Sequence, residues 1–145
     1  MKKQKVVIEK IFNVSKKLVW QAVTDKEMMK QWYFDLKTFK AVVGFKFEFL
    51  AGVEPGKPWK HLCEIAKVIP ESKLTYLWRY EGYNGMSFVI FELFDNNGST
   101  RLNLTHSGID TFPADVPDFA VSNFEKGWNK IINHSLKNFL EEHRN

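Results

Sequence analysis

From Lys5 to Asn13 apolar and polar residues alternate loosely, the period-two pattern of a half-buried strand. Ser15 then stands where a helix N-cap belongs, ahead of Leu18, Val19, Ala22 and Val23 at helical spacing. Thr24-Asp25 offers a second cap, opening a short helix through Met28 and Met29 to Trp32. A run of strands follows. Phe39 to Val43 leads to Gly44, after which Phe45, Phe47 and Phe49 alternate with Lys46 and Glu48. The segment Gly52 to Pro58, punctuated by Pro and Gly, reads as a turn or a mobile flap. Trp59 to Val68 is predicted as a strand, Pro70-Glu71-Ser72 as a turn, and Leu74, Tyr76, Trp78 and Tyr80 as one face of the next strand. Ser87 to Phe94 and Arg101 to Ser107 form a hairpin around Asp95-Asn96-Asn97-Gly98, because Asn-Gly tolerates positive φ.

Between Pro117 and about Glu142 the period changes. Val121, Phe124, Trp128, Ile131, Ile132, Leu136 and Phe139 fall at three- and four-residue steps, with Lys126, Asn129, Lys130, Asn133 and Lys137 opposite. A single apolar stripe of that length needs a broad partner, and the upstream strands supply one. The order is strand, two short helices, about six antiparallel strands, and a long helix. It predicts an α+β fold in which the helix packs across a strongly curved antiparallel sheet of about six to seven strands. With 145 residues and no linker or repeat, residues 1–145 are expected to form a single domain.

Composition leaves two readings of the interior. Thirteen Phe and five Trp exceed what a core of this length requires, so either the core is bulky or some rings line a cavity. The charge of +4 is scattered along the chain, and no zinc-knuckle or ribonucleoprotein motif accompanies it, so nucleic acid is not an expected partner. A lone cysteine excludes an intramolecular disulfide. The first strand follows the N-terminus without a hydrophobic leader, and no apolar run approaches the roughly 18 residues of a membrane span. A cytoplasmic protein without a membrane span is expected.

Alternation places His61 and Cys63 on the inward face of their strand, opposite Glu64. A Cys two residues from a His invites a thiolate–imidazole pair, but the roughly 6.5–7 Å between such positions exceeds hydrogen-bond reach. A small buried Cys beside a cavity histidine is the simpler reading. His106 runs in phase with Leu102 and Leu104, so it faces the helix either as a ligand anchor or as a hydrogen-bonded core histidine. The nine expected cavity residues are Trp59, His61, Cys63, Tyr76, Trp78, Phe91, His106, Phe124 and Trp128. Glu9, Glu48, Glu64 and Glu92 alternate against apolar neighbours and face solvent, so no inward carboxylate pair stands ready for acid–base work. No catalytic residue, metal or cofactor is assigned.

Several motifs then coincide. Val19-Trp20-Gln21-Ala22-Val23-Thr24-Asp25 followed by Gln31-Trp32-Tyr33, the strand Val43-Gly44-Phe45-Lys46-Phe47, Leu74-Thr75-Tyr76-Leu77-Trp78, Leu102 to Gly108 and Gly127-Trp128 occur in the order of one family. Together they resemble the bacterial homologues of the C-terminal domain of the heat-shock protein 90 ATPase activator. That family lies in the START-related, birch-pollen-allergen-like (SRPBCC) helix-grip superfamily. The resemblance implies a helix-grip fold over nearly the whole chain and a cavity between sheet and helix. Its leading functional implication is binding of a small apolar or amphipathic molecule there. The alternatives are a chaperone partner, docked on the exposed Lys-rich face of the long helix, and a cyclase or hydrolase using His106, His61 and Tyr76. The eukaryotic activator also uses an N-terminal domain with no counterpart here, which counts against full co-chaperone action.

Overall fold

The computed structural model describes residues 5–51 and 58–143. Strand β1 (Val6–Phe12) is followed by helices α1 (Lys16–Thr24) and α2 (Lys26–Trp32). Five further strands come next: β2 (Lys46–Ala51), β3 (Trp59–Ile69), β4 (Lys73–Tyr80), β5 (Ser87–Asn96) and β6 (Ser99–Ser107). All six form one antiparallel sheet in the order β1-β6-β5-β4-β3-β2. A register shift between Ile65 and Lys67 marks a bulge in β3, which bends the sheet and increases its twist. Helices α3 (Val121–Lys130) and α4 (Lys137–His143) are joined by a π-helical segment, Ile131–Leu136. The architecture is the α+β, helix-grip arrangement expected, and the six strands among the described residues fall within the expected six to seven.

Local chemistry explains the boundaries. Ser15 Oγ accepts from the Leu18 amide at 3.3 Å. Asp25 closes α1 with its backbone N–H on the Gln21 carbonyl, and caps α2 through Oδ1, which accepts from Glu27 and Met28. The β5–β6 hairpin turns on Asn97 (φ 53°) and Gly98 (φ 91°), the two left-handed positions that an Asn-Gly turn supplies.

Two expectations are corrected. Phe39–Val43 is not a strand; Phe39 is buried edge-on against Phe47 at 5.1 Å, so its apolar signal is that of a loop plugging the core. The long helix does not begin at Pro117, where Pro117–Phe119 makes a separate 3-10 turn, and it is not uniformly α. Phe124, Trp128, Ile132, Leu136 and Leu140 are all buried at four-residue steps. At 3.6 residues per turn each step overshoots by roughly 40°, so four steps would carry the stripe about 160° around a straight helix. A π turn takes up one extra residue, or about 100°, and brings both halves back onto the sheet. The expected flap falls on residues 52–57, outside the described residues.

Candidate functional site

The helix stands off the sheet at one end, over the start of β3 and the end of β4. There a cleft of about 430 Å³ opens between α3 and the strands. Phe34, just after α2, stacks on Phe49 with ring centroids 4.3 Å apart, and Phe49 stacks on His61 at 4.4 Å. His61 meets Trp78 and Tyr80 edge-on at 4.8 and 4.7 Å. Trp59 closes the outer side, its indole N–H donating to Asp118 Oδ2 at 2.7 Å and its ring lying 4.9 Å from Phe119. The helix contributes Asn123, Phe124, Gly127, Trp128 and Ile131, with Lys126 and Lys130 at the rim.

Of the nine residues expected to line a cavity, Trp59, His61, Trp78, Phe124 and Trp128 border this cleft. Cys63, Tyr76, Phe91 and His106 are buried in the core beyond its walls. Phe34, Tyr80, Phe119 and Gly127 also line the cleft and were not in the expected set. Tyr80 carried a signal, being in phase with Trp78 on the same strand face. Phe34 and Phe119 lie in a loop and a 3-10 turn, where periodicity says nothing about facing.

The polar groups fall into two sets. The first is fully paired. Trp128 Nε1–H donates to His106 Nδ1 at 2.9 Å, and Ser87 Oγ–H donates to the Trp78 carbonyl at 2.9 Å. His106 Nε2 lies 2.7 Å from Ser87 Oγ and must be its donor, since the hydroxyl hydrogen is already committed. His106 is therefore held as the neutral Nε2–H tautomer. Burial, with a smaller effect from His61, lowers its pKa to about 3.

The second set is only partly paired and belongs to residues that border the cleft. Trp78 is 5% exposed, and its indole Nε1–H is sealed from solvent without a hydrogen-bond partner among the described residues. The neighbouring Tyr80 hydroxyl feels that N–H, which draws its pKa down against the larger upward effect of burial. The two groups nevertheless do not meet in hydrogen-bond geometry. His61 Nδ1 lies 2.9 Å from the Trp59 carbonyl, an acceptor only, so Nδ1 carries the proton and Nε2 the lone pair. Burial lowers the His61 pKa to about 4, with the Trp59 and Phe49 carbonyls opposing, so the ring is neutral at pH 7.

Nucleophilic chemistry finds no support in the core. Burial pushes the Cys63 thiol up, away from the thiolate. Tyr76 shares a hydrogen bond with Tyr33, and burial raises both phenols. Among the described residues no group of three or more His, Cys, Asp or Glu could hold a metal ion, and no helix is long and apolar enough to cross a membrane.

A curved antiparallel sheet gripping a C-terminal helix, with an aromatic cleft at one end, defines a helix-grip domain. The chain belongs to the family of activator of Hsp90 ATPase homolog 1-like proteins, whose model matches residues 13–141. Solved structures of the same fold include MLL2253 from Mesorhizobium loti, 23% identical, with a TM-score of 0.81 over 98% of this chain and 100% of that one. Mll3558 from Rhizobium loti is 20% identical, with a TM-score of 0.81 over 94% of this chain and 96% of its own. CalU16 from Micromonospora echinospora is 22% identical, with a TM-score of 0.73 over 94% of this chain and 75% of its own. At these identities the likeness carries the fold. Among curated proteins there is no match.

Proposed function

We propose that this protein binds a small, largely apolar molecule in the cleft between α3 and the sheet. The observation that carries the reading is the unpaired Trp78 N–H, buried in the aromatic wall of a cleft of about 430 Å³. A buried donor left unsatisfied costs roughly 1–3 kcal/mol, and apolar walls with a few polar groups are the usual make-up of a small-molecule site. Gly127 supports the same reading. It sits mid-helix, where glycine costs about 1 kcal/mol against alanine. A Cβ added there would meet nothing within 4 Å. Its helical neighbours Asn123, Phe124, Lys130 and Ile131 all border the cleft, so a missing side chain at this position leaves room in the cleft. The chaperone reading rests on the family's description; the outward face of α3, with Ser122, Glu125, Lys126 and Asn129, is polar.

The test is a plug. Wild-type protein should bind the fluorescent probe 1-aminoanthracene saturably at one molecule per chain. Gly127→Phe should abolish that binding while its urea unfolding midpoint stays near wild type. Equal binding by the plugged variant, or no binding by the wild type, contradicts the reading.

A further inference from the structure

The helical side of the cleft is divided along its length, and the division limits what can sit there, given that the cleft is a binding site as proposed above. At roughly 100° per residue, Phe124, Trp128 and Ile131 fall on one flank of Gly127, and Asn123, Lys126 and Lys130 on the other. The first flank meets the sheet: Phe124 and Trp128 are buried, and the Trp128 ring lies 5.8 Å from that of Trp78. The second flank is the mouth. Lys126 and Lys130 are exposed, and they border both the cleft and the polar outward face of α3. Gly127 stands between the flanks without a side chain, and a Cβ there would meet nothing within 4 Å. The apolar interior therefore opens to the two lysines across the glycine.

The charges at this mouth are unbalanced. Among the described residues neither lysine takes part in an ion pair or a hydrogen bond. They stand one turn apart, at the i,i+4 spacing where like charges repel. Asp118 is the one carboxylate among the described residues that border the cleft, and its Oδ2 already accepts the Trp59 indole N–H at 2.7 Å. His61 and Tyr80, the other titratable groups there, are neutral at pH 7, because burial lowers the first and raises the second. An apolar body gains from burial, whereas a charged end must keep water or meet a counter-ion. The cleft offers both, with aromatic rings inside and two unpaired ammonium groups at the opening. We infer that its ligand is an amphipathic carboxylate, with the apolar body among the rings and the anionic end over Gly127 against Lys126 and Lys130. A neutral ligand would leave both ammonium groups without a counter-ion, and a cation would set a third positive charge beside them.

Three isosteres test the charge: 2-naphthoate, 2-naphthamide and 2-naphthamidine, which are anionic, neutral and cationic at neutral pH, titrated into the wild type by calorimetry. Exposed ion pairs are individually weak, so the two lysines together should make the naphthoate bind about fivefold tighter than the amide, with the amidine weakest. Raising the salt from about 0.1 M to about 1 M should shrink that preference. Lys126→Gln/Lys130→Gln should bring the ratio of naphthoate to naphthamide affinity near unity. Lys17→Gln/Lys30→Gln removes the same charge from exposed lysines of α1 and α2 outside the cleft, and should keep the ratio. Equal binding of all three by the wild type, or tighter binding of the amide or the amidine, overturns the anionic ligand. The cleft would still stand as a binding site if 1-aminoanthracene bound there. A preference that persists in the Lys126/Lys130 variant, or that vanishes in the Lys17/Lys30 variant, overturns the placement at the mouth. If none of the three binds, the carboxylate ligand is overturned, and 1-aminoanthracene decides whether the cleft falls with it. Should the double variant fail to fold, Lys126→Gln and Lys130→Gln taken singly should each lose part of the preference, and an unchanged ratio in both overturns the placement.

Discussion

Trp128, His106, Ser87 and the Trp78 carbonyl form a chain in which every hydrogen has one destination. That chain ties α3 to β6, β5 and β4 through a residue, His106, that is fully buried. Its Nδ1 lone pair is occupied by the Trp128 indole, so protonation would expel that donor and place a charge in the core. Of the two sequence readings of His106, the hydrogen-bonded core histidine fits this geometry. His61, by contrast, lines the cleft. Both rings have folded-state pKa values, about 3 and about 4, below the ordinary 6.5 of an unfolded histidine. Between those values the unfolded chain binds more protons, so stability is complete above pH 6.5 and is lost as the pH falls. Each histidine should remove up to roughly 1.4 kcal/mol per pH unit across its window. Urea midpoints measured from pH 7 to pH 4.5 should therefore decline steadily. A midpoint unchanged over that range contradicts the assignment of two buried neutral histidines.

The elements differ in how much of them the residues announce. Caps and turns are local chemistry, so Ser15, Asp25 and Asn97-Gly98 mark their boundaries directly. Alternation does the same for β2 to β6, where Phe47, Phe49, His61, Cys63, Tyr76 and Trp78 all turn inward as their period requires. Phe39 misleads because a buried loop residue is as apolar as a strand residue, and no neighbour reports its backbone. The π segment was legible in principle. The four-residue steps Phe124, Trp128, Ile132, Leu136 and Leu140 drift off one face of a straight α-helix, and an extra residue restores their phase. Gly127 carries the element's other message. Its backbone is helical and unstrained, so Gly127→Ala should stabilise the protein by about 0.5–1 kcal/mol in urea unfolding. A loss of stability would mean that the position is constrained by packing rather than kept empty for the cleft.

Across the whole molecule, the cleft exists because separate stretches meet: the loop after α2, the ends of β2, β3 and β4, the 3-10 turn, and the helix from α3 into the π segment. Sequence periodicity orients side chains on each element, but it does not tell how far a helix stands from a sheet. That is why Cys63, Tyr76, Phe91 and His106 share the inward phase of Trp59, His61 and Trp78 and yet lie behind the cleft wall. The difference between core and site is set by the distance from α3 to the strands, a property of the assembled fold. The five tryptophans read that distance directly, since Trp59, Trp78 and Trp128 border the cleft while Trp20 and Trp32 do not. Each contributes one indole N–H signal in a ¹⁵N-labelled sample. On titration with 1-aminoanthracene, the signals of Trp59, Trp78 and Trp128 should move together and saturate, and those of Trp20 and Trp32 should stay fixed. Shifts spread over all five, or absent from the cleft three, would contradict a ligand site between α3 and the sheet.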